Sequence, residues 1–393
     1  MIFQTFDEKK ECFLIYKESR FHNHLSKDCT HTWSYAPYLQ DGKIEYANLF
    51  IGRGSLKESC PEALKEKYQD VQSQIKALLR ATATAGLDMN KICIYEILPK
   101  HVLVNWAEVK NSICNYIFQN NRKPTNYDHL LKITKVIADI EYRNLNLDLN
   151  KIIRLNIQDK NTYKLLKHSN PYIAYDQFKT ITGRLSTKKR SFPVMTLAEK
   201  YREVVKPNND WLFELDFNAA ELRTVLGLLN HKQPVADLHE WNLQHVFKGI
   251  KDRETAKKRV FAWLYNPRSE DGSINTIYDR EKLKTLHFKD NKIINPFGRE
   301  IECDEDHAIS YLVQSTAADL LFEQMYKVWE FLKGKKSFIK FCNHDAIMID
   351  LAEEDQHCVH NIKEMFCETR LGRFKINCSG GKDWLNMQRL NIT

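Results

Sequence analysis

The apolar positions change their period partway along the chain. From Pro61 to Gly86 the segment "PEALKEKYQDVQSQIKALLRATATAG" repeats at three and four residues, with a proline to open it and a glycine to stop it. Similar spacing predicts helices near residues 104–119 and 128–144, the second presenting Leu130, Ile133, Thr134, Ile137 and Ile140 or Glu141 on one face. Residues 1–60 predict short strands and loops, punctuated by the glycines of "IGRGS". After about residue 170, strands and helices alternate. "WLFELDF" has strict period two: Trp211, Phe213, Leu215 and Phe217 point one way, and Leu212, Glu214 and Asp216 the other. Leu222, Val225, Leu226 and Leu229 then mark a helix face. A long helix is expected from about His307 to Lys333, stopped by Gly334. "SFIKFC" and "AIMIDL" flank "NHD" and read as a hairpin with Asp345 at its turn.

Composition narrows the class. A chain of 393 residues with 43% hydrophobic and 28% charged residues predicts two or three globular domains. No apolar run reaches membrane-spanning length, and the N-terminal residues lack the pattern of a secretory signal. The expectation is a cytoplasmic protein with no membrane partner. The net charge of +8 suits a polyanionic partner such as nucleic acid. Ten cysteines with no C-x-x-C predict a reduced set. His22, His24, Cys29 and His31 lie close enough in sequence to offer four zinc ligands, although their spacing fits no standard finger.

Three constellations carry candidate chemistry. Asp216 and Asp345 both stand at strand ends, far apart in sequence. Were the strands neighbours, two carboxylates would share one sheet edge, a costly arrangement unless cations bridge them. Hard oxygen donors with open positions suit Mg²⁺, which shares its sphere with substrate phosphates. Asn218 and Glu221 could form a capping box on the following helix. In "RETAKKRVFAWLY", Arg253, Lys257, Phe261 and Tyr265 recur every four residues. On a helix they form a slanted stripe about 18 Å long, cations at one end and aromatics at the other. A nucleotide has that polarity, with phosphates for the cations and a base for the rings. "TITGRLSTKKR" adds Arg184, Lys188, Lys189 and Arg190 as a phosphate track.

In order and kind these segments resemble the family A, DNA polymerase I type, DNA polymerases. "TGRLS" (182–186) is similar to the primer–template contact motif, "DFNAAELR" (216–223) to motif A, and "DLHEW" (237–241) to the segment before the fingers helix. "RETAKKRVFAWLY" resembles motif B, and "NHDA" (343–346) motif C. "NPFGRE", "QSTAADLL" and "GKDWLNM" resemble the G-R, Q-G-T-A-A-D and G-x-x-W blocks. The likeness covers roughly residues 130–393. It implies an α+β, right-hand polymerase fold: an antiparallel-sheet palm (177–230 and 311–393), helical fingers (231–310) and a reduced helical thumb within 61–176. A small N-terminal module occupies 1–60.

The resemblance also implies roles. Asp216 and Asp345, with the Phe217 carbonyl, would hold two Mg²⁺ ions, Mn²⁺ being able to substitute. Arg253 and Lys257 would bind the dNTP triphosphate, with His239 reaching its phosphates. Phe261 would lie against the incoming sugar and base, and Tyr265 near the templating base. Glu221 would be the steric gate against a ribose 2′-OH. Arg184, Gln314 and His344 would contact the primer–template DNA, with Lys188 and Arg299 among the DNA-binding residues. The expected activity is template-directed dNTP addition to a primer 3′-OH in a bacterial cell or phage-infected host.

Departures from the family pattern are Ala346 for the Glu after the motif C aspartate, Ala262 and Asn266 for motif B glycines, and Ser315 for a glycine. The stretch before Thr182 predicts too little chain for a full two-helix thumb, hence poor intrinsic processivity or a processivity factor that supplies grip. "DIE" (139–141) matches an exonuclease D-x-E but falls inside an expected helix, so no 3′–5′ exonuclease is expected. Two alternatives stand: a single-subunit RNA polymerase, which Glu221 disfavours, and a non-catalytic primer–template-binding protein, which Ala346 favours.

Overall fold

The computed structural model describes residues 1–6, 14–39, 43–52, 55–87, 92–247, 252–269 and 271–392; part of the "IGRGS" segment lies outside them. The chain divides into two compact units, Met1–Asp139 and Ile140–Thr393.

In the first unit a three-stranded antiparallel sheet (Gln4–Thr5, Ile15–Lys17, Arg20–His22) precedes the helices Lys65–Thr84 and Lys100–Asn120. Their apolar faces meet: Tyr68, Val71 and Ile75 join Val102, Leu103, Val109, Ile113 and Ile117 in one core. The helix Tyr127–Glu141 crosses the boundary between the units and contains "DIE". The zinc reading does not hold. His31 turns to Glu45 (3.6 Å) and the Phe118 ring, and Cys29 Sγ contacts Ser26 Oγ at 3.3 Å. Among the described residues no three His, Cys, Asp or Glu side chains are placed to hold a metal. Eight described cysteines are free, whereas Cys93 is disulfide-bonded, against the expectation of a fully reduced set.

The second unit begins with two short helices, α1 (Leu149–Gln158) and α2 (Lys160–His168). The span expected to be too short for a full two-helix thumb forms two helices of 10 and 9 residues. Asp148 and Asp159 cap them, accepting from Lys151 N and from Asn161 N and Thr162 N. Leu149, Ile153 and Ile157 of α1 are exposed, while Ile152 and Leu155 are buried.

A five-stranded antiparallel sheet follows, built from β1 (Trp211–Phe217), β2 (Phe338–Asn343), β3 (Ala346–Leu351), β4 (Ile376–Gly381) and β5 (Gln388–Arg389), in spatial order β2-β3-β1-β4-β5. Period two in β1 buries Phe213, Leu215 and Phe217 and leaves Glu214 and Asp216 half-buried on the other face. Four further helices position the site: α3 (Ala220–Leu228), α4 (Leu238–His245), α5 (Arg253–Tyr265) and α6 (Glu305–Leu332). They share one core through Leu222, Val225, Leu238, Val260, Trp263 and Leu312. Gly334 follows α6 at φ +77°, where the sequence placed the stop. A bulge between Ile339 and Phe341 accompanies a buried ion pair, Lys340 Nζ to Asp350 Oδ2 at 2.7 Å.

Candidate active site

The strand order puts β1 between β3 and β4, so Asp216 has a neighbour on each side: Ala346 on β3 and Asn377 on β4. Asp345 immediately precedes Ala346, in the tight His344–Asp345 turn between β2 and β3, with His344 at φ 52°. Phe217 N donates to the Asp345 carbonyl at 3.3 Å. Paired antiparallel Cα atoms lie about 4.5–5.5 Å apart and one chain step is about 3.8 Å, so the Cα atoms of Asp216 and Asp345 are within about 9 Å. The two distant aspartates therefore meet at one sheet edge.

Their electrostatics are unusual. Burial pushes the Asp216 carboxyl up, Asn377 pulls it down by a hydrogen bond, Glu214 and Asp345 push it up again, and it settles at about 6. Burial raises Asp345 too, with Arg184 and His344 opposing. Among the described residues neither carboxylate has a salt bridge. The donors are hard oxygens, negative, partly desolvated and mutually repelling, which fits a divalent cation that also takes water or phosphate oxygens.

The β1–α3 junction holds this edge in place. Ala219 takes the left-handed region (φ 54°, ψ 52°) and caps α3 without a side-chain bond, so the expected capping box does not form. Asn218 is used elsewhere: its Nδ2 donates to Asp237 at 2.8 Å and its Oδ1 accepts from Leu238 N and Arg223. Arg223, fully buried, also donates to the carbonyls of Asn218, Pro234 and Ala236. A buried guanidinium is tolerable because each of its three nitrogens finds an acceptor. It clamps the turn after β1 to the start of α4, a role the sequence reading missed although Arg223 stood inside the quoted motif.

Glu221 faces the site instead of the helix start. It is buried, accepts from Arg184 Nη2 at one oxygen and from the Tyr265 hydroxyl at the other, and its carboxyl is raised by burial against those two bonds. Gln314 lies near the same Tyr265 hydroxyl. Arg184, Glu221, Tyr265 and Gln314 thus form one cluster. Along α5, Phe261 and Tyr265 stack at 6.1 Å with an interplanar angle of 3°, and His239 approaches Phe261 at 6.4 Å. The His239 ring is held below its ordinary basicity by burial, then by Arg253 and Lys257 nearby, and among the described residues its Nδ1 has no partner. Arg253 lies 3.4 Å from Asp237 and is partly exposed. The predicted stripe is therefore a real face of α5, with His239 beside it.

Two predicted DNA contacts fare differently. Lys188 is exposed, 3.4 Å from Glu141. Arg299 is not a free surface cation. Its Nε and Nη2 grip fully buried Asp319 at 2.8 and 2.6 Å, and Asn295 Nδ2 donates to the same carboxylate. Burial alone would weaken the Arg299 charge, but Asp319 more than restores it. Arg299 also lies directly beneath Gly183, next to Arg184. It thus packs against that turn.

No family model matches the chain, and no curated protein does. Among solved structures it is similar to the POL domain of Pol1 from M. smegmatis, in complex with DNA primer-template and dNTP. The TM-score is 0.62 at 12% identity, over 87% of this chain and 82% of that one. The fold is thus that of a polymerase domain.

Proposed function

We propose that this chain is a template-directed DNA polymerase of the family A type, adding dNTPs to a primer 3′-OH. The observation that carries the reading is the Asp216–Asp345 pair: two half-buried carboxylates without a salt bridge among the described residues, brought to one sheet edge beside a helix with cations and stacked rings. In this reading the five-stranded sheet is the palm, α4 and α5 belong to the fingers, and α1 and α2 are a reduced thumb.

Asp216 and Asp345, with the Phe217 carbonyl, would hold Mg²⁺ ions. When bound, such ions acidify the primer hydroxyl and stabilise charge on the phosphates. The chain's own residues do the rest. Arg253, Lys257 and His239 orient the triphosphate, and the loose Arg253–Asp237 contact leaves that guanidinium free to exchange partners. Phe261 and Tyr265 offer flat faces to the nascent base pair. Glu221, locked by Arg184 and Tyr265, supplies a fixed wall where a ribose 2′-OH would enter. Helices of 10 and 9 residues offer little grip on a duplex, consistent with reliance on a processivity factor. Proofreading is not expected of the chain.

Primed DNA template incubated with the protein, Mg²⁺ and either dNTPs or NTPs tests the reading. Extension with dNTPs alone supports it. Extension with NTPs would favour an RNA polymerase. Binding without extension would favour a primer–template-binding protein, the reading that Ala346, buried opposite Asp216, keeps open.

A further inference from the structure

We infer that Asn377 is a positioning residue for Asp216, fixing the plane of that carboxylate so that one oxygen stays open to a cation. The inference rests on the proposed role of Asp216 as a metal-holding group. Asn377 stands directly across from Asp216 on β4, and its Nδ2 donates to Asp216 Oδ2 at 3.3 Å. Among the described residues Asp216 Oδ1 accepts from no donor. On the opposite flank Asp216 faces only the methyl group of Ala346. Asn377 is thus the one polar side chain paired across the sheet with this aspartate.

The orientation of the amide follows from its neighbours. Arg389 on β5 lies beyond Asn377, its Nη2 at 3.5 Å from Asn377 Oδ1. A guanidinium only donates and an ionised carboxylate only accepts. Turning the amide over would set its NH₂ against the guanidinium and its carbonyl against the carboxylate. The carbonyl is therefore directed at Arg389 and the NH₂ at Asp216, so Asn377 acts through Asp216 and not as a ligand itself. The next rung repeats the device: Ser379, paired with Glu214, donates to Glu214 Oε2 at 3.1 Å. Strand β4 is a rail of donors along the carboxylate face of β1. Donors behind a ligating carboxylate set its orientation, and losing one costs about 10–100-fold in metal affinity or activity.

The test uses the full chain and Mn²⁺ alone as the probe, with bound ion followed by electron paramagnetic resonance. Four variants are compared: Asp216→Asn, Asn377→Leu (similar volume, no donor), Asn377→Ala and Asn377→Gln. Asp216→Asn is expected to weaken Mn²⁺ binding strongly. Asn377→Leu and Asn377→Ala are expected to weaken it about 10-fold or more, with circular dichroism unchanged, and Asn377→Gln less. In the Asp216→Asn background, Asn377→Leu should add nothing. Steady-state primer extension should show a lower kcat with KM for dNTP little changed. If Asp216→Asn weakens Mn²⁺ binding while both Asn377→Leu and Asn377→Ala stay within twofold of the parent, the inference is overturned and the polymerase reading survives. If Asp216→Asn leaves Mn²⁺ binding intact, the metal-holding role falls and the inference with it.

Discussion

Gly183→Ala should cost far more than its chemistry suggests, and Gly334→Ala is the control that shows why. Both glycines have φ +77°, so an added methyl meets the same backbone penalty, about 1–2 kcal/mol. At Gly334 nothing lies within 4 Å of the new Cβ. At Gly183 the Cβ would sit 2.5 Å from Arg299 Cζ and 2.6 and 2.7 Å from its terminal nitrogens. A free guanidinium would swing away, but this one is held by two bonds to Asp319, which has no exposed surface. Displacing it leaves a buried carboxylate uncompensated, a loss of about 3–5 kcal/mol. Gly183→Ala should therefore destabilise by about 4–7 kcal/mol and Gly334→Ala by about 1–2 kcal/mol. Urea unfolding followed by circular dichroism measures both. Primer extension should fall with Gly183→Ala and not with Gly334→Ala, because Gly183 adjoins Arg184 and so the Glu221 cluster. Two variants of equal stability would refute the account of Arg299 as a fixed support.

Asp345→Asn should lower primer extension by about 10³-fold, the equivalent of about 4 kcal/mol of lost charge stabilisation; gel-shift affinity for primed DNA should change little. Glu221→Ala should raise the NTP-to-dNTP ratio of kcat/KM by about 10–200-fold, the range a single pocket wall commands; a ratio unchanged within twofold would remove Glu221 as the gate. Asp237 is pushed up by partial burial, but bonds from Asn218, Glu240 N and Arg253 bring it down to about 2. A carboxyl lowered on folding contributes stability that is full above its unfolded value and fades as pH falls toward 2. Urea stability of the parent should thus lose about 2 kcal/mol between pH 5 and 2 that Asp237→Asn does not lose; identical pH slopes in both proteins would contradict this.

What the sequence disclosed was local and periodic. Period two in Trp211–Phe217, the fourfold spacing of Arg253 to Tyr265 and the "NHD" turn between two apolar runs each needed only neighbours along the chain. The structure keeps all three. The long helix begins at Glu305, two residues before expectation, because Asp304 caps it by accepting from His307 N. The misreadings came where a side chain spends its bonds on a distant partner. Asn218 and Glu221 have capping-box spacing, yet Asn218 bonds Asp237 and Glu221 bonds Arg184 and Tyr265. The ion pair of Arg299 gave no sequence signal, because Asp319, its counter-charge, lies within α6, far along the chain. Asn377 gave no signal, since only the pairing of β4 with β1 brings it to Asp216. The two short helices carry a local signal, since Asp148 and Asp159 each stand at a helix start.

The carboxylates of the second unit divide by what neutralises them. Asp319 has Arg299 and Asp350 has Lys340, each pair buried and hydrogen-bonded. These charges are satisfied within the fold and need nothing from solution. Glu214, Asp216 and Asp345 receive hydrogen bonds or distant cations but no salt bridge among the described residues, and burial raises all three. Keeping them there works against stability, because neutral residues of the same size would remove the repulsion. Asp319 and Asp350 each have a buried cation at hand, whereas the three acids on one strand face and the adjoining turn have none among the described residues, and packing alone gives no reason to gather them there. The deficit is one of positive charge, at the sheet edge where α5 brings Arg253 and Lys257 near His239. Divalent ions arriving with a triphosphate would relieve it, which is why the same acids that weaken the metal-free protein are the ones whose loss should stop the reaction.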